Sequence, residues 1–536
     1  MDVMVGSGAG GRRLGERVDV IIIGSGPTGA TYARTIAQQA PSATVLVLEA
    51  GPVVTEPSGS HVANIVDVAA RTKAQVAAQG PKDFPYPRYT HAEAERDPEH
   101  VGFDSVLMRP GVFAISPAGE DPGPFPVAQA TSGVGGMGAH WFGACPRPAG
   151  TERIDLIDSE ALDDAYGRAE RLLRVSSTQL TDHAMAESVR SAVGAVVDEG
   201  RAPARRVQQM PMALVRTADG VSRTGTDVIF GDLLDGGSST FELRPETLVQ
   251  RIIMDGDTAV GVEARDRPTG EVYQVGASYV VVACDGIRTP QLLFASGIRP
   301  AALGRYFNEH PQISLTAAMD FGPEGDTSAE RGDTVAMSDA SARTVGASGV
   351  VWIPFDEERF PYHAQLYQVD TTSLGLTDAE LDGIGAAITM NLFLRQDLDP
   401  DNRLSFSETE KDWLGMPAIT FEYRLSEADV ARVERGKREL VGLANALGEP
   451  LLGESPRALP AGTSIHYLGA TRMGAANDGT SVCDPTSRVW DTSNVYVAGS
   501  GVIPTSTACN PTLTIVAIAI LGAEAIARRL EEQPSD

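Results

Sequence analysis

The fold turns on residues 18–49, VDVIIIGSGPTGATYARTIAQQAPSATVLVLE. Residues 18–23 are a short, continuous apolar run, the pattern of a strand buried on both faces. Gly24, Gly26 and Gly29 follow as a G-x-G-x-x-G turn, then an amphipathic helix, then a second buried strand at residues 43–48. This is a βαβ unit. Glu49 closes the second strand, 20 residues beyond Gly29. The glycines permit a tight turn and let backbone N–H groups approach a pyrophosphate at the helix N-terminus. A carboxylate at Glu49 accepts hydrogen bonds from both ribose hydroxyls and disfavours a 2′-phosphate. With 56 glycines in 536 residues, roughly 0.5 such patterns arise by chance, so context decides. Gly6, Gly8 and Gly11 also match, as do Gly133, Gly135 and Gly138. Neither set lies between a buried strand and a helix with an acidic residue closing the next strand. The fingerprint does not distinguish NAD from FAD.

Outward from this unit, residues 240–284 read as short strands with turns at Asp255-Gly256 and Pro268-Thr269-Gly270, ending in an apolar strand at 279–284. Residues 494–498 (NVYVA) form a late strand that feeds a helix over about 511–530. Both ends of the chain therefore contribute to one parallel sheet. Between 312 and 425, segments such as GVVWIPF, HAQLYQVD, ITMNLFLRQ and AITFEYRL alternate apolar and polar residues, as half-buried antiparallel strands do. Ser426 with Asp429 resembles a capping pair, opening a helix whose apolar residues are Val430, Val433, Leu440, Val441 and Leu447. The expected architecture is α/β. A Rossmann-like, doubly wound parallel sheet with a β-meander is interrupted by an α+β domain on a largely antiparallel sheet. Its segments are a leader at 1–17, the nucleotide domain at 18–150, 225–311 and 461–532, a cap segment at 151–224 and a second domain at 312–460.

Length alone favours two domains. Net charge is −27, from 71 acidic and 44 basic residues, which repels phosphate backbones and anionic lipid and excludes nucleic acid and membrane surfaces as partners. Cys145, Cys284, Cys483 and Cys509 are too sparse for a disulfide framework and too scattered for a metal site, so reduced thiols in a cytoplasmic protein are expected. The leader lacks the apolar centre of a signal peptide, and the most apolar stretch, residues 515–523, is far short of a bilayer span. A monomer or small homo-oligomer is expected.

In the C-terminal part, His466 lies in AGTSIHYLGATRMG and Asn510, 44 residues later, in TSTACNPTLT. The strand between them returns the chain to the sheet edge, where ligands of such sheets sit. An imidazole and a carboxamide there can hold one hydroxyl, the imidazole taking its proton as the carbon-bound hydrogen leaves as hydride. Spacing alone leaves a structural histidine as the alternative.

Several motifs now agree. VIIIGSGPTGATYA with Glu49, TSGVGGMGAHW, VVVACDGIRTPQLLFASGI, GRYFNEH and the stretch from His466 to Ile526 resemble the glucose–methanol–choline (GMC) family of flavin oxidoreductases, in that family's order. GGMGAHW and IHYLGATRMG…GSGVIPTSTACNPTLT are most similar to its pyranose oxidase branch, which includes bacterial glycoside 3-oxidases.

The resemblance implies FAD, its adenosine half on Gly24, Ser25, Gly26, Pro27, Thr28, Gly29, Glu49 and Ala50, with Val249 and Ala283 beside it. It sets Thr131 and the loop of Gly135, Gly136, Met137, His140 and Trp141 against the isoalloxazine. Gly499, Ser500, Asn510, Pro511 and Thr512 complete the cofactor site, with His466 and Asn510 as the catalytic pair. In the fungal pyranose oxidases the matching histidine carries the flavin covalently, so a link through His140 is an open alternative. Ala139 and Phe142 stand where threonines flank that family's His-Trp. Arg299 stands where the family's SGxG signature ends in Gly, and Asp285 replaces a small residue. HAQLYQV matches a substrate-facing segment in which Gln365 keeps a polar side chain, while Tyr367 and Val369 replace a His and an Asp. Gln365, Tyr367, His466 and Asn510 are thus the implied substrate contacts.

The resemblance implies oxidation of a secondary ring hydroxyl of a sugar or glycoside, with C3 of O- or C-glycosides favoured because the altered strand and modest length resemble the bacterial glycoside oxidases more than the fungal enzymes. Reoxidation would use O2, giving H2O2, or a quinone-type acceptor. A pyranose 2-oxidase on free sugars, another alcohol dehydrogenase of the family and a non-redox lyase on the same scaffold are the rivals.

Overall fold

The computed structural model describes residues 17–78, 113–115, 123–179, 184–217, 220–236, 238–319, 349–369 and 386–532. Except for Arg17, the leader lies outside them.

β1 (Arg17–Ile23), α1 (Pro27–Gln39) and β2 (Val45–Leu48) form the βαβ unit, with Val20 to Ile22 and all of β2 buried. Gly26 precedes α1 and Pro27 opens it, a position where the missing N–H costs nothing. α2 (Ser159–Leu172) begins behind Asp158, whose carboxylate accepts the N–H groups of Glu160 and Ala161. β3 (Phe241–Arg244) pairs parallel with β2 at the sheet's edge, so the stretch expected to open the meander is a parallel strand instead. The antiparallel run is β4 (Thr247–Asp255), β5 (Thr258–Asp266) and β6 (Val272–Val282). β6 is long enough to serve twice. Its first half pairs with β5, and its second lies parallel to β1. α3 (Asp285–Ala295) follows it.

β7 (Gln312–Met319), β8 (Val351–Ile353), β9 (Tyr362–Val369) and β10 (Ala386–Leu394) form the body of the second sheet, antiparallel in the order β7-β10-β9-β8, with two-residue strands paired at its edges. β11 (Arg403–Lys411) and β12 (Pro417–Glu422) form a two-stranded sheet of their own. The AITFEYRL strand thus belongs to a separate hairpin and not to that sheet. α4 (Glu427–Leu447) has the expected capping box between Ser426 and Asp429. Val433, Leu440 and Leu447 are buried against the second sheet, but Val430 and Val441 face outward. β13 (Val495–Val497) then pairs parallel with the end of β6, and α5 (Thr512–Glu532) packs on α1 and α2.

Alternation on the second sheet decides what the site receives. Tyr362, Ala364 and Leu366 of β9 and Met390 and Leu392 of β10 point into a core with α4. Gln365, Tyr367, Asn391 and Phe393 emerge on the opposite face, because successive side chains of a strand point to opposite sides. Among the described residues no helix is long and apolar enough to cross a membrane.

α5 approaches α1 closely at Gly522, where an added Cβ would lie 2.0 Å from Tyr32 Oη. Gly522→Ala should therefore destabilise the protein by about 1–3 kcal/mol through overpacking, read as a lower melting temperature.

Candidate active site

A cavity of ≈ 310 Å³ runs between the two sheets, within the usual size of small-molecule sites. At one end stands the glycine turn. Gly24 takes φ +105°, and a Cβ there would meet Ala283 O at 2.3 Å. The carboxylate of Glu49 accepts hydrogen bonds from Ser25 N (3.1 Å), Ser25 Oγ (2.7 Å) and Gly51 N (2.8 Å). Ser25 Oγ accepts in turn from Gly135 N at 2.9 Å. Burial pushes the Glu49 carboxyl up, and the bonds from Ser25 and Gly51 oppose it. Gly26, Pro27 and Thr28 bring the N-terminus of α1 to the cavity, and Pro511 and Thr512 bring that of α5.

Ala50, Thr131, Gly136, Met137 and Trp141 line the wall, as do Val249, Ala283, Gly499 and Ser500. Gly29, Gly135 and His140 are not part of it. Gly29 serves the packing of α1 on the turn, where a Cβ would stand 2.0 Å from Gly24 O. His140 is buried, and burial holds its imidazole down to about 4.

At the far end the chemistry-bearing side chains meet. Asn510 Nδ2 lies 3.5 Å from His466 Nε2, and Gln365 Nε2 donates to Asn510 Oδ1 at 2.7 Å. With its oxygen engaged, Asn510 presents a donor towards His466, so the facing Nε2 carries a lone pair. The remaining proton of a neutral His466 then sits on Nδ1, which is 3.0 Å from His310 Nδ1. His310 is fully buried, and burial pushes its imidazole down to about 3 against the attraction of Glu152. It stays neutral and can accept. Phe393 lies beside the His466 ring, with centroids 5.7 Å apart. Tyr367 meets Phe142 at 5.6 Å, and its Oη accepts a hydrogen bond from Asn391 Nδ2 at 2.9 Å.

Two buried carboxylates hold this arrangement. Glu152 accepts from Ala508 N (2.8 Å) and Thr507 Oγ1 (3.2 Å), just before Asn510, and is 3.0 Å from His363 Nε2 on β9. Trp352 Nε1 donates to His363 Nδ1 at 3.0 Å. An indole nitrogen only donates, so the proton of a neutral His363 lies on Nε2, towards Glu152. Burial raises the Glu152 carboxyl, but His363 and the backbone donors outweigh it and hold it below the ordinary range. Glu309 accepts from Gly462 N (2.9 Å) and Ser464 Oγ (2.9 Å), fixing the loop that carries His466.

His310, Glu152, His363 and Gln129 were not singled out from sequence. His310 sits in the quoted GRYFNEH motif, yet nothing local links it to a partner 156 residues away.

A dinucleotide turn at one end of a cavity and an imidazole–carboxamide pair at the other define a dinucleotide-dependent oxidoreductase. Family models described as GMC oxidoreductase match residues 149–312 and 399–519. The chain is 43% identical over 525 residues to a C-glycoside 3-oxidase of Arthrobacter globiformis, covering 97% of each protein. It is 32% identical over 554 residues to a pyranose 2-oxidase of Tricholoma matsutake, covering 95% of this chain and 93% of that protein. A solved structure of formate oxidase from Aspergillus oryzae RIB40 superposes with a TM-score of 0.64 at 15% identity, covering 97% of this chain and 99% of that one. The chain belongs to the GMC oxidoreductase family, and its cofactor is FAD.

The residues present fit FAD. Gln129 lines the cavity, and neither atom of its buried amide has a partner among the described residues. Such a pair matches a ligand edge that carries both donor and acceptor groups, which buried amides require.

Glu309 makes stability depend on pH. Burial pushes its carboxyl up from 4.5 to about 7, against the hydrogen bonds from Gly462, Ser464 and Tyr423. Between those values the folded protein holds a proton that the unfolded chain has lost, so stability falls as pH rises across that window. The full loss is about 3 kcal/mol. Urea unfolding at a series of pH values should show the slope, and Glu309→Gln should flatten it.

Proposed function

We propose that the protein oxidises a secondary ring hydroxyl of a sugar or glycoside to a ketone, at C3 of O- or C-glycosides. The observation that carries this reading is the 3.5 Å approach of His466 Nε2 to Asn510 Nδ2 on the cavity wall. A hydroxyl between them would receive a hydrogen bond from Asn510 and give its proton to His466 Nε2. His310 Nδ1 would accept a hydrogen bond from His466 Nδ1–H, holding the ring in the tautomer that a base needs. Gln365 supports the carboxamide's orientation and so acts on the substrate through Asn510. FAD, when bound, supplies the acceptor for the hydride and is reoxidised by O2, giving H2O2, or by a quinone-type acceptor.

The C3 assignment is supported by the greater identity to the glycoside 3-oxidase, and by the aromatic wall of Phe142, Tyr367 and Phe393. An apolar wall of that kind suits a ring bearing a large substituent. The match to pyranose 2-oxidase keeps oxidation of free sugars at C2 as the second reading. Four unpaired cysteines support a cytoplasmic location. The segments expected at 18–150, 225–311 and 461–532 would then hold the cofactor, with 312–460 and the cap at 151–224 covering the substrate.

An anaerobic screen of free sugars, O-glycosides and C-glycosides tests the reading by flavin bleaching, followed by identification of the ketone. Bleaching by glycosides with a 3-keto product is expected, and no bleaching by any sugar overturns the proposal. His466→Ala should stay yellow and folded while its flavin is reduced roughly 10²–10⁴-fold more slowly, the usual contribution of a positioned base.

Because Ala139 and Phe142 replace the threonines that flank the flavin-linked histidine of the fungal pyranose oxidases, we further infer that FAD is held without a covalent bond to His140. Acid precipitation should leave the yellow colour in the supernatant. Colour in the pellet would contradict this.

A further inference from the structure

The β11–β12 hairpin stands apart from both sheets, yet its tip, residues 412–416, reaches the nucleotide end of the cavity. The tip is built with care. Asp412 Oδ1 accepts from Leu414 N and Met416 N, each at 2.9 Å, closing the turn. Gln291 Nε2 of α3 donates to Asp412 Oδ2 at 2.9 Å and to Pro417 O at 2.8 Å. Met416 is buried in the core of the nucleotide half. These bonds hold Trp413 in the cavity wall.

Two guanidinium groups flank the indole. Arg267 lies 5.7 Å from the ring centroid and Arg288 6.0 Å, within cation–π range. Arg267 also donates to Ala50 O at 2.8 Å, which ties Trp413 to the residue after Glu49 and so to the ribose end of the fingerprint. Arg288 lines the cavity too, and its Nη2 is buried with no partner among the described residues. A guanidinium only donates. A buried donor left unpaired is costly, so a ligand acceptor is the natural partner. Val249 and Leu248 complete the apolar floor of this end.

We propose that the tip is a clamp for the adenine of FAD, with Trp413 covering the purine and Arg288 Nη2 donating to one of its ring nitrogens. Purine ring nitrogens are acceptors, and an indole face stacks on any base. The clamp comes from a hairpin outside the dinucleotide unit. Cofactor retention therefore depends on how the second half of the chain docks against the first.

The test uses the native holoenzyme and a nucleotide pyrophosphatase, which hydrolyses the phosphoanhydride of FAD to FMN and AMP. AMP release reads the exposure of the adenine end, whether or not the flavin is covalently held. Trp413→Ala should release AMP about tenfold faster than the parent and Trp413→Phe within about twofold of it, the scale of aromatic–base stacking. Arg288→Gln should fall between them, and it decides the matter if circular dichroism shows that Trp413→Ala does not fold. Equal rates in parent and folded variants overturn the clamp. The readout involves no sugar, so its failure and a failure of the substrate reading are separate events.

Discussion

The junction between the Asn510 loop and the second sheet depends on the buried carboxylate of Glu152. Glu152 accepts from the Thr507 hydroxyl and the Ala508 N–H on one side and faces His363 Nε2 of β9 on the other. It thereby fixes the loop of Asn510 against the strand that carries Gln365, and Gln365 then reaches Asn510 directly. A loop that follows the nucleotide sheet and a strand of the second sheet are thus held together over the cavity. Replacing this carboxylate by an apolar group would strand His363 Nε2 and the Ala508 N–H without partners, and buried polar groups left unpaired are expensive.

The same economy governs His466. Its ring is held between Phe393 and His310, with one nitrogen engaged by His310 and the other turned to Asn510. His310 suits that place because burial keeps it neutral. A protonated neighbour would have no lone pair to receive the Nδ1 proton of His466 in a hydrogen bond, and its charge would lower the basicity of that ring. A neutral acceptor settles the tautomer without changing the site's charge.

Much of the fold was legible from short-range pattern. The βαβ unit, the late strand, the closing helix and the Ser426–Asp429 cap all follow from periodicity and capping chemistry within a few residues. What failed was long-range in origin. Residues 241–244 cross to the far edge of the sheet to pair with β2, and residues 417–422 leave the second sheet for their own hairpin. Alternation cannot report which strand is the neighbour. Val430 and Val441 joined the apolar list by composition, but the helix turns them to solvent. At the site, motif similarity led to His466 and Asn510. The Glu152–His363 and His310–His466 contacts join segments 211 and 156 residues apart, with no local signature. Gln365, expected on the substrate, lines the cavity and donates its amide to Asn510, a contact 145 residues away in sequence.

The central claim is that a ring carbon gives up its hydrogen while His466 removes the hydroxyl proton. Anaerobic flavin reduction by a glycoside carrying deuterium at C3 tests it most directly, compared with the same glycoside labelled at C2. A several-fold slower reduction with the C3 label alone is the predicted result. Equal rates for the C3-labelled and unlabelled glycosides would contradict the account.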